Sequence, residues 1–260
     1  NETITCKGTW DTLSPPARCW IAPNGSHGPL DISGAIEHSC NYFFYEVGYR
    51  LSRNNGVYDS DTGLEKLAYY ADKSGVEISE SAPKVSDFDA IRSAIGQGTN
   101  NYSTVGLARY VTTVANSGSC YNLSLLSKAT DADGNLIADY TPSLRNTVDL
   151  KQSTWDAIHQ GMRKVVEDKD YYKDLTIQVA GKTGTAQENR KRANHALFVC
   201  YAPYEQPQIA IATRIAFGYA SDYAAQVTKD IVKYYFKLED ESSLITGTAE
   251  STNVVQSAGD

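Results

Sequence analysis

The sequence predicts an α/β fold of the α+β type, in which a mainly helical region is followed by an antiparallel meander and a closing helix. Apolar residues recur at helical spacing through much of residues 31–172, as one buried helix face requires. From residue 173 the period changes, and short runs of alternating apolar residues predict strands. Successive strands joined by short connections pair antiparallel, because parallel pairing needs a long crossover.

Composition excludes several classes of function. The 260 residues are 41% hydrophobic, which is enough for a sizeable core, and their formal net charge is -7. We expect no nucleic-acid partner, because phosphate binding needs clustered Lys and Arg. No apolar run reaches the roughly 18 residues of a membrane span, so we expect any membrane anchor to lie upstream of Asn1.

The helical region has a recognisable beginning. Residues 1–30 are dense in Pro and Gly, which predicts an irregular loop. Asp31 then offers an N-cap, and helical patterns follow it. After the stripe that begins at Asp31, these patterns cover 64–71, 105–115 and 155–166.

The sheet region is predicted at residues 173–237. Its strands are expected at 176–180, 197–201 and 209–215. The closing helix is expected at 224–236, with one apolar face formed by Val227, Ile231, Val232 and Tyr235. Residues 238–260 are acidic and rich in Ser and Thr, which predicts a flexible tail.

The segment Lys182-Thr183-Gly184-Thr185 follows the first predicted strand. Lys182 supplies a positive charge, Gly184 leaves room for a flat ligand, and the hydroxyls of Thr183 and Thr185 can hold a carboxylate. A Lys-Thr-Gly box on a strand occurs in serine acyltransferases beside S-x-x-K and S-x-N boxes. The tripeptide by itself also closes ordinary strands.

A second candidate is Ser39-Cys40-Asn41, which we expect to form a turn between helices. Ser39 could relay a proton to a leaving amine, and Asn41 could donate to a substrate carbonyl. The alternative is that both side chains satisfy local backbone groups, as such residues commonly do.

The order of these boxes and their flanking segments resembles class B penicillin-binding proteins of the elongation or sporulation type. The matching segments are 19–20, 27–32, 39–45, 94–98, 107–110, 115–118, 161–166, 179–187, 195–198 and 201–203. The resemblance implies the penicillin-binding transpeptidase or serine β-lactamase-like fold, with an all-α lobe packed on an antiparallel sheet. Residues 1–237 would be part of that domain.

The implied function is that of a peptidoglycan D,D-transpeptidase of the cell wall, acting in cell shape. A stem peptide ending in D-Ala-D-Ala would acylate a serine and pass to an amine, and β-lactams would mimic that peptide. The resemblance makes Ser39, Asn41 and Lys182 catalytic and places Thr183, Gly184 and Thr185 at the substrate, with the Thr185 N–H in the oxyanion hole.

The same resemblance implies a glycan-polymerising membrane partner and a location at the cell membrane, on its extracytoplasmic face. A serine β-lactamase, a β-lactam sensor and a non-catalytic scaffold that has lost the serine are the alternatives.

One departure from the family concerns the nucleophile. No S-x-x-K box precedes Ser39, and the box Ser81-Ala82-Pro83-Lys84 follows it. Pro83 gives this box a poor helical context, although catalysis needs its lysine one turn from its serine. We therefore expect the N-terminal strands and the nucleophile helix to be missing from these residues, and the chain alone to be inactive.

Cys6, Cys19 and His27 lie in the Pro-rich loop before Ser39, with Asp11 between the cysteines. Two thiolates, an imidazole and a carboxylate make an acceptable tetrahedral zinc set, with Asp11 as provisional fourth ligand. The rival is a Cys6–Cys19 disulfide, which suits a protein outside the cytoplasm. Both would hold the loop beside the cleft.

Overall fold

The structure, a computed structural model, describes residues 2–76, 86–98, 101–188 and 191–244. The helices in these ranges are α1 Ile32–Glu37, α2 Asn41–Leu51, α3 Ser60–Lys73, α4 Asp89–Ser93, α5 Thr104–Ala115, α6 Gln152–Glu167, α7 Ser221–Tyr235 and α8 Glu241–Leu244, with a 3-10 turn at Asp170–Tyr172. The Ser81 to Lys84 box lies outside the described residues. Among the helices that are described, none has the length and apolar character to cross a membrane.

The strands are short except in one sheet. They are β1 Ile4–Cys6, β2 Thr9–Trp10, β3 Ala17–Arg18, β4 Gly28–Leu30, β5 Arg53–Asn54, β6 Val57–Tyr58, β7 Ser119–Tyr121, β8 Lys128–Thr130, β9 Leu136–Asp139, β10 Leu144–Thr147, β11 Ala180–Ala186, β12 His195–Ala202 and β13 Ile209–Ile215. The last three form an antiparallel sheet in the order β11-β12-β13.

This sheet is the centre of the molecule. Lys182 pairs with Val199, and Val199 pairs in turn with Ala212. Helix α7 packs on the sheet together with a core that includes Phe198 and Val232, while α5 and α6 contact it through a second core. The α+β class, with helices packed on an antiparallel sheet, is confirmed.

The first strand of this sheet lies further along the chain than the sequence predicts. We expected a strand at 176–180, but β11 begins at Ala180 and contains the whole Lys-Thr-Gly box. Glycine and lysine are poor strand formers, so local propensity misses this strand, which pairing with β12 creates. Gly181 is required here, because a Cβ would lie 2.4 Å from Phe198 Cζ.

Residues 1–30 are more regular than predicted. Strand β1 pairs with β4, so that Ile4 lies opposite Leu30, and β2 pairs with β3. Cys6 and Cys19 are almost completely buried there. The predicted irregular loop is therefore two small antiparallel ladders, each too short to show a period in the sequence. Further small ladders, β5/β6, β7/β10 and β8/β9, interrupt the helical region.

The closing helix was predicted correctly, but its buried face was not. Val232 is fully buried in α7, whereas Val227, Ile231 and Tyr235 are 45%, 39% and 49% exposed. Small residues at 224, 225 and 228 complete the buried face instead. Helix α8 lies within the predicted tail, and residues 245–260 lie outside the described residues.

Candidate active site

Two predicted motifs meet at one ammonium group. Lys182 Nζ donates a hydrogen bond to Ser39 Oγ, across 143 residues of sequence. The same nitrogen donates to Thr183 O at 2.9 Å and contacts Thr183 Oγ1 at 3.4 Å. The structure thus brings the Lys-Thr-Gly strand to the Ser-x-Asn turn, as the resemblance implies.

Backbone geometry fixes the position of Ser39. Helix α1 is capped by Asp31, whose carboxylate accepts from Gly34 N at 2.9 Å. Ser39 follows α1 with φ at +48°, an uncommon conformation for a residue with a side chain. Cys40 N donates to Ala35 O at 2.9 Å, and Asn41 begins α2. The left-handed turn places the Ser39 hydroxyl against the strand.

Strand β11 forms one edge of the described sheet. Its residues Thr183, Gly184 and Thr185 are partly exposed. A Cβ on Gly184 would meet only Leu197 Cβ, at an ordinary 3.5 Å. Packing within the chain therefore does not require this glycine. The open edge can accept an extended peptide as an added strand.

The helical region also contacts this edge through Gln97. Its side-chain nitrogen donates to the main-chain oxygen of Thr185 at 3.4 Å. Gly96 and Gly98 flank it with φ of +77° and +105°, which residues with a side chain rarely adopt. Our sequence reasoning used residues 94–98 for the family resemblance and assigned Gln97 no role.

His195 closes the same end of the sheet, opposite Ala186 in the register. Its Nδ1 accepts from Phe217 N at 3.2 Å, so Nε2 carries the proton and donates to Glu188 Oε2 at 2.9 Å. The imidazole is buried. Both of its nitrogens form hydrogen bonds near the ends of the strands, so we assign His195 a structural role.

Cys6, Cys19, His27 and Cys40 form a compact cluster, with one possible ligand atom from each within 4.8 Å of the others. His27 Nδ1 lies 3.6 Å from the sulfur atoms of both Cys6 and Cys19. With Zn–S near 2.3 Å and Zn–N near 2.0 Å, the S···N edge of a tetrahedron is about 3.5 Å, close to the observed distance. The donor set and its spacing therefore fit zinc.

This cluster corrects one predicted ligand. Asp11 is exposed and does not belong to the set of four, in which Cys40 takes the fourth position. We had not considered Cys40, because it lies inside the Ser-x-Asn motif. Its spacing of 13 residues from His27 also matches no standard zinc motif. The structure gives all five cysteines as free and buried.

The thiols of the cluster interact strongly. A hydrogen bond from the Cys40 thiol lowers the pKa of Cys19, against the effect of burial. The same bond, together with burial, raises the pKa of Cys40. One sulfur of the pair is thus prepared to be a thiolate, the form that binds metals.

An apolar cavity of about 890 Å³ lies in the helical region. Helices α2, α3, α5 and α6 contribute side chains to its wall, among them Val47, Leu51, Leu67, Leu107 and Ile158. Its volume is typical of a binding cavity and far above the gaps of a packed core.

Comparisons with known proteins identify the fold and the family. The chain is 27% identical to peptidoglycan D,D-transpeptidase MrdA of Haemophilus influenzae over 90% of its own length and 41% of that protein, so it spans about two fifths of this relative. Penicillin-binding protein 2B of Streptococcus pneumoniae R6 superposes with a TM-score of 0.77 at 22% identity, over 92% of this chain and 44% of that one.

Penicillin-binding protein A of Mycobacterium tuberculosis, solved as an imipenem acyl-enzyme complex, superposes with a TM-score of 0.71. It is 20% identical, over 90% of this chain and 55% of that chain. The family described as the penicillin-binding protein transpeptidase domain matches residues 1–233. Because this match covers most of the sequence, the chain belongs to the penicillin-binding protein transpeptidase family.

Proposed function

We propose that the protein is a peptidoglycan D,D-transpeptidase that cross-links stem peptides by serine acyl transfer and is a target of β-lactams. The observation that carries this proposal is the hydrogen bond between Lys182 and Ser39 at the open edge of β11. A positive charge, a hydroxyl and a strand edge are the groups that an extended peptide with a terminal carboxylate needs.

The chemistry then follows from the positions of these groups. A stem peptide ending in D-Ala-D-Ala would pair with β11, and its carboxylate would lie near Lys182 and the hydroxyls of Thr183 and Thr185. The Thr185 N–H would stabilise the oxyanion. Ser39, held by Lys182, would pass a proton to the departing D-Ala amine, and an amine of a second strand would then take the acyl group from the serine.

The serine that becomes acylated is, in this proposal, carried by a helix that occupies the apolar cavity. An apolar cavity of about 890 Å³ has room for the side chains of a further helix, since it is many times larger than cavities left by removing one side chain, at about 150 Å³. A helix with serine and lysine one turn apart would fill it with its apolar face. That helix would belong to a segment of the protein outside residues 1–260.

Intact mass spectrometry after incubation with benzylpenicillin tests the assignment. The full-length protein should gain one penicilloyl group on a serine outside residues 1–260, and the 260-residue chain should gain none. An adduct on the chain that Ser81→Ala removes would show that the nucleophile was misidentified. Sustained hydrolysis of a chromogenic cephalosporin, in place of a single burst, would instead indicate a β-lactamase.

We also propose a structural zinc ion held by Cys6, Cys19, His27 and Cys40. The proposal is supported by the four donors and by the position of His27 Nδ1, 3.6 Å from the sulfur atoms of both Cys6 and Cys19. Zinc would supply folding free energy to a segment with only two-residue and three-residue strands. Through Cys40 it would also fix the turn that carries Ser39.

The proposed substrate implies a cellular setting. Cross-linking acts on newly polymerised glycan, so we place the protein at the cell membrane, on its extracytoplasmic face, beside a glycan-polymerising partner. Co-purification of the full-length protein from detergent-solubilised membranes with a glycan polymerase would support this setting. Recovery in a cytoplasmic fraction would contradict it.

A further inference from the structure

The contact between Gln97 and Thr185 lies where a peptide substrate is expected to bind. Gln97 comes from the helical region and Thr185 from the edge strand, and their hydrogen bond spans 88 residues of sequence. Gln97 therefore connects the helical region to the backbone of the edge strand.

The Thr185 carbonyl points away from the neighbouring strand of the sheet. In an antiparallel strand, residues two apart point their backbone groups to the same side. Thr183 O accepts from Lys182 Nζ at 2.9 Å, and Thr185 O accepts from Gln97 Nε2 at 3.4 Å. Both carbonyls therefore point away from β12, towards the space that an added strand would fill.

A peptide that pairs with β11 needs this same carbonyl. Added strands bind through alternating N–H and C=O groups of the edge, so a ligand amide N–H would donate to Thr185 O. The Gln97 carboxamide is chemically the same donor as a peptide amide. In the structure, Gln97 Nε2 stands where the ligand N–H would be.

We propose that Gln97 is a specificity-determining residue, which occupies the Thr185 carbonyl in the empty site and gives way to the amide N–H of the ligand. This inference rests on the proposed function, because it assumes that ligands acylate the protein while lying along β11. When a ligand has this N–H, the Thr185 carbonyl exchanges the Gln97 donor for the ligand donor. Ligands without it leave Gln97 in place. Gln97 therefore determines how strongly the site discriminates between ligands with this N–H and ligands without it.

The test compares two β-lactams that differ in this group. Benzylpenicillin carries an acylamino N–H, and imipenem does not. In the full-length protein, Gln97→Ala should raise the second-order acylation rate constant of benzylpenicillin relative to that of imipenem by about threefold to tenfold. The reason is that benzylpenicillin no longer has to displace the hydrogen bond between Gln97 and Thr185. Gln97→Asn, one methylene shorter, should behave in the same way. Gln160→Ala, at an exposed position of α6, should leave the ratio unchanged.

A ratio that stays within about twofold of wild type, or falls, would overturn the inference. A general loosening of the cleft would slow both ligands equally and leave the ratio unchanged, so it counts against the inference as well. If neither β-lactam acylates even the wild-type protein, the proposed function fails.

A second measurement does not depend on acylation. In protein with isotope-labelled glutamine and threonine, an acetylated D-Ala-D-Ala peptide should shift the side-chain amide signal of Gln97 together with the backbone signals of Thr183 and Thr185. Shifts at the two threonines with an unmoved Gln97 signal would show that the ligand does not replace this donor. That result would overturn the inference while leaving the proposed function intact.

Discussion

The side chain of Lys182 ends on the hydroxyl of Ser39, so the edge strand and the turn between α1 and α2 share one proton donor. Neither group belongs to a hydrophobic core. Their contact is therefore available for chemistry, and its removal should affect reaction rates far more than folding.

In the full-length protein, Lys182→Ala, Ser39→Ala and Asn41→Ala should each slow acylation by benzylpenicillin by about 100-fold or more, because each removes a polar group that acts in the transition state. Melting temperatures should change little. Lys173→Ala, which removes an exposed lysine paired with Asp170, is the matched control. Acylation rates within about twofold of wild type for all three variants would refute the site assignment.

The cysteine cluster predicts about one zinc per chain in protein purified without added metal, measured by elemental analysis. Cys40→Ser and His27→Ala should lose the metal and lower the melting temperature, because ligation contributes folding free energy. Asp11→Ala should retain zinc. Cys120→Ser, at a buried cysteine outside the cluster, controls for the general cost of replacing a thiol.

A disulfide in place of zinc would give the opposite response to reagents. Zinc-bound protein should be sensitive to chelator and should yield five reactive thiols under denaturation. A stable protein with substoichiometric zinc, in which two thiols appear only after reduction, would contradict the metal site.

Acid should weaken a second interaction, between α7 and the 3-10 turn. Burial raises the pKa of Asp222, but hydrogen bonds from Lys169 Nζ at 2.8 Å and Tyr171 Oη at 2.7 Å outweigh it and leave the pKa below its usual value. A carboxyl with a depressed folded pKa adds stability above its unfolded pKa, near 3.9, and loses it as pH falls through the folded value.

Asp222→Asn should therefore cost about 0.5 kcal/mol at pH 7, a modest value because the side chain is 39% exposed. The difference in unfolding free energy between the two proteins should shrink below about pH 4. Urea unfolding of both proteins at several pH values measures it. A difference that grows on acidification would mean that the carboxyl is not stabilised by its partners.

Substitutions at two glycines distinguish the cost of backbone strain from the cost of a steric clash. Gly118 and Gly134 both have positive φ, at +101° and +86°. A Cβ at Gly118 would lie 2.3 Å from Val148 O, whereas one at Gly134 meets nothing within 4 Å. Gly134→Ala should cost about 1 kcal/mol of unfolding free energy from strain alone, and Gly118→Ala about 3 kcal/mol or more. Equal costs in chemical denaturation would contradict the close contact.

Periodic patterns predicted the parts of the fold that are long and regular. Strand β13 and the stripe in α6 are visible because each repeats its apolar residues several times. The ladders among residues 4–30 have two or three residues per strand, too few to show a period. Helix α7 carries apolar residues on more than one face, so periodicity alone could not decide which face the sheet covers.

The candidate site was predictable where motif and chemistry coincide. The contact between Ser39 and Lys182 was predictable because the segments around them match a known order. Cys40 was missed because its sulfur joins Cys6 and Cys19 only after β1, β4 and α1 have folded. The contact of Gln97 depends in the same way on packing between distant segments, which no local pattern records.

The position of Cys40 between Ser39 and Asn41 has a pharmacological consequence. Under the proposed function, the turn that would recognise a β-lactam shares Cys40 with the proposed zinc site, so its shape would depend on the ion. An agent that strips the proposed zinc would distort this turn, and it would lower both the proposed transpeptidation and acylation by the antibiotic. On this target a chelator and a β-lactam would act as antagonists, and combining them would protect the protein from acylation.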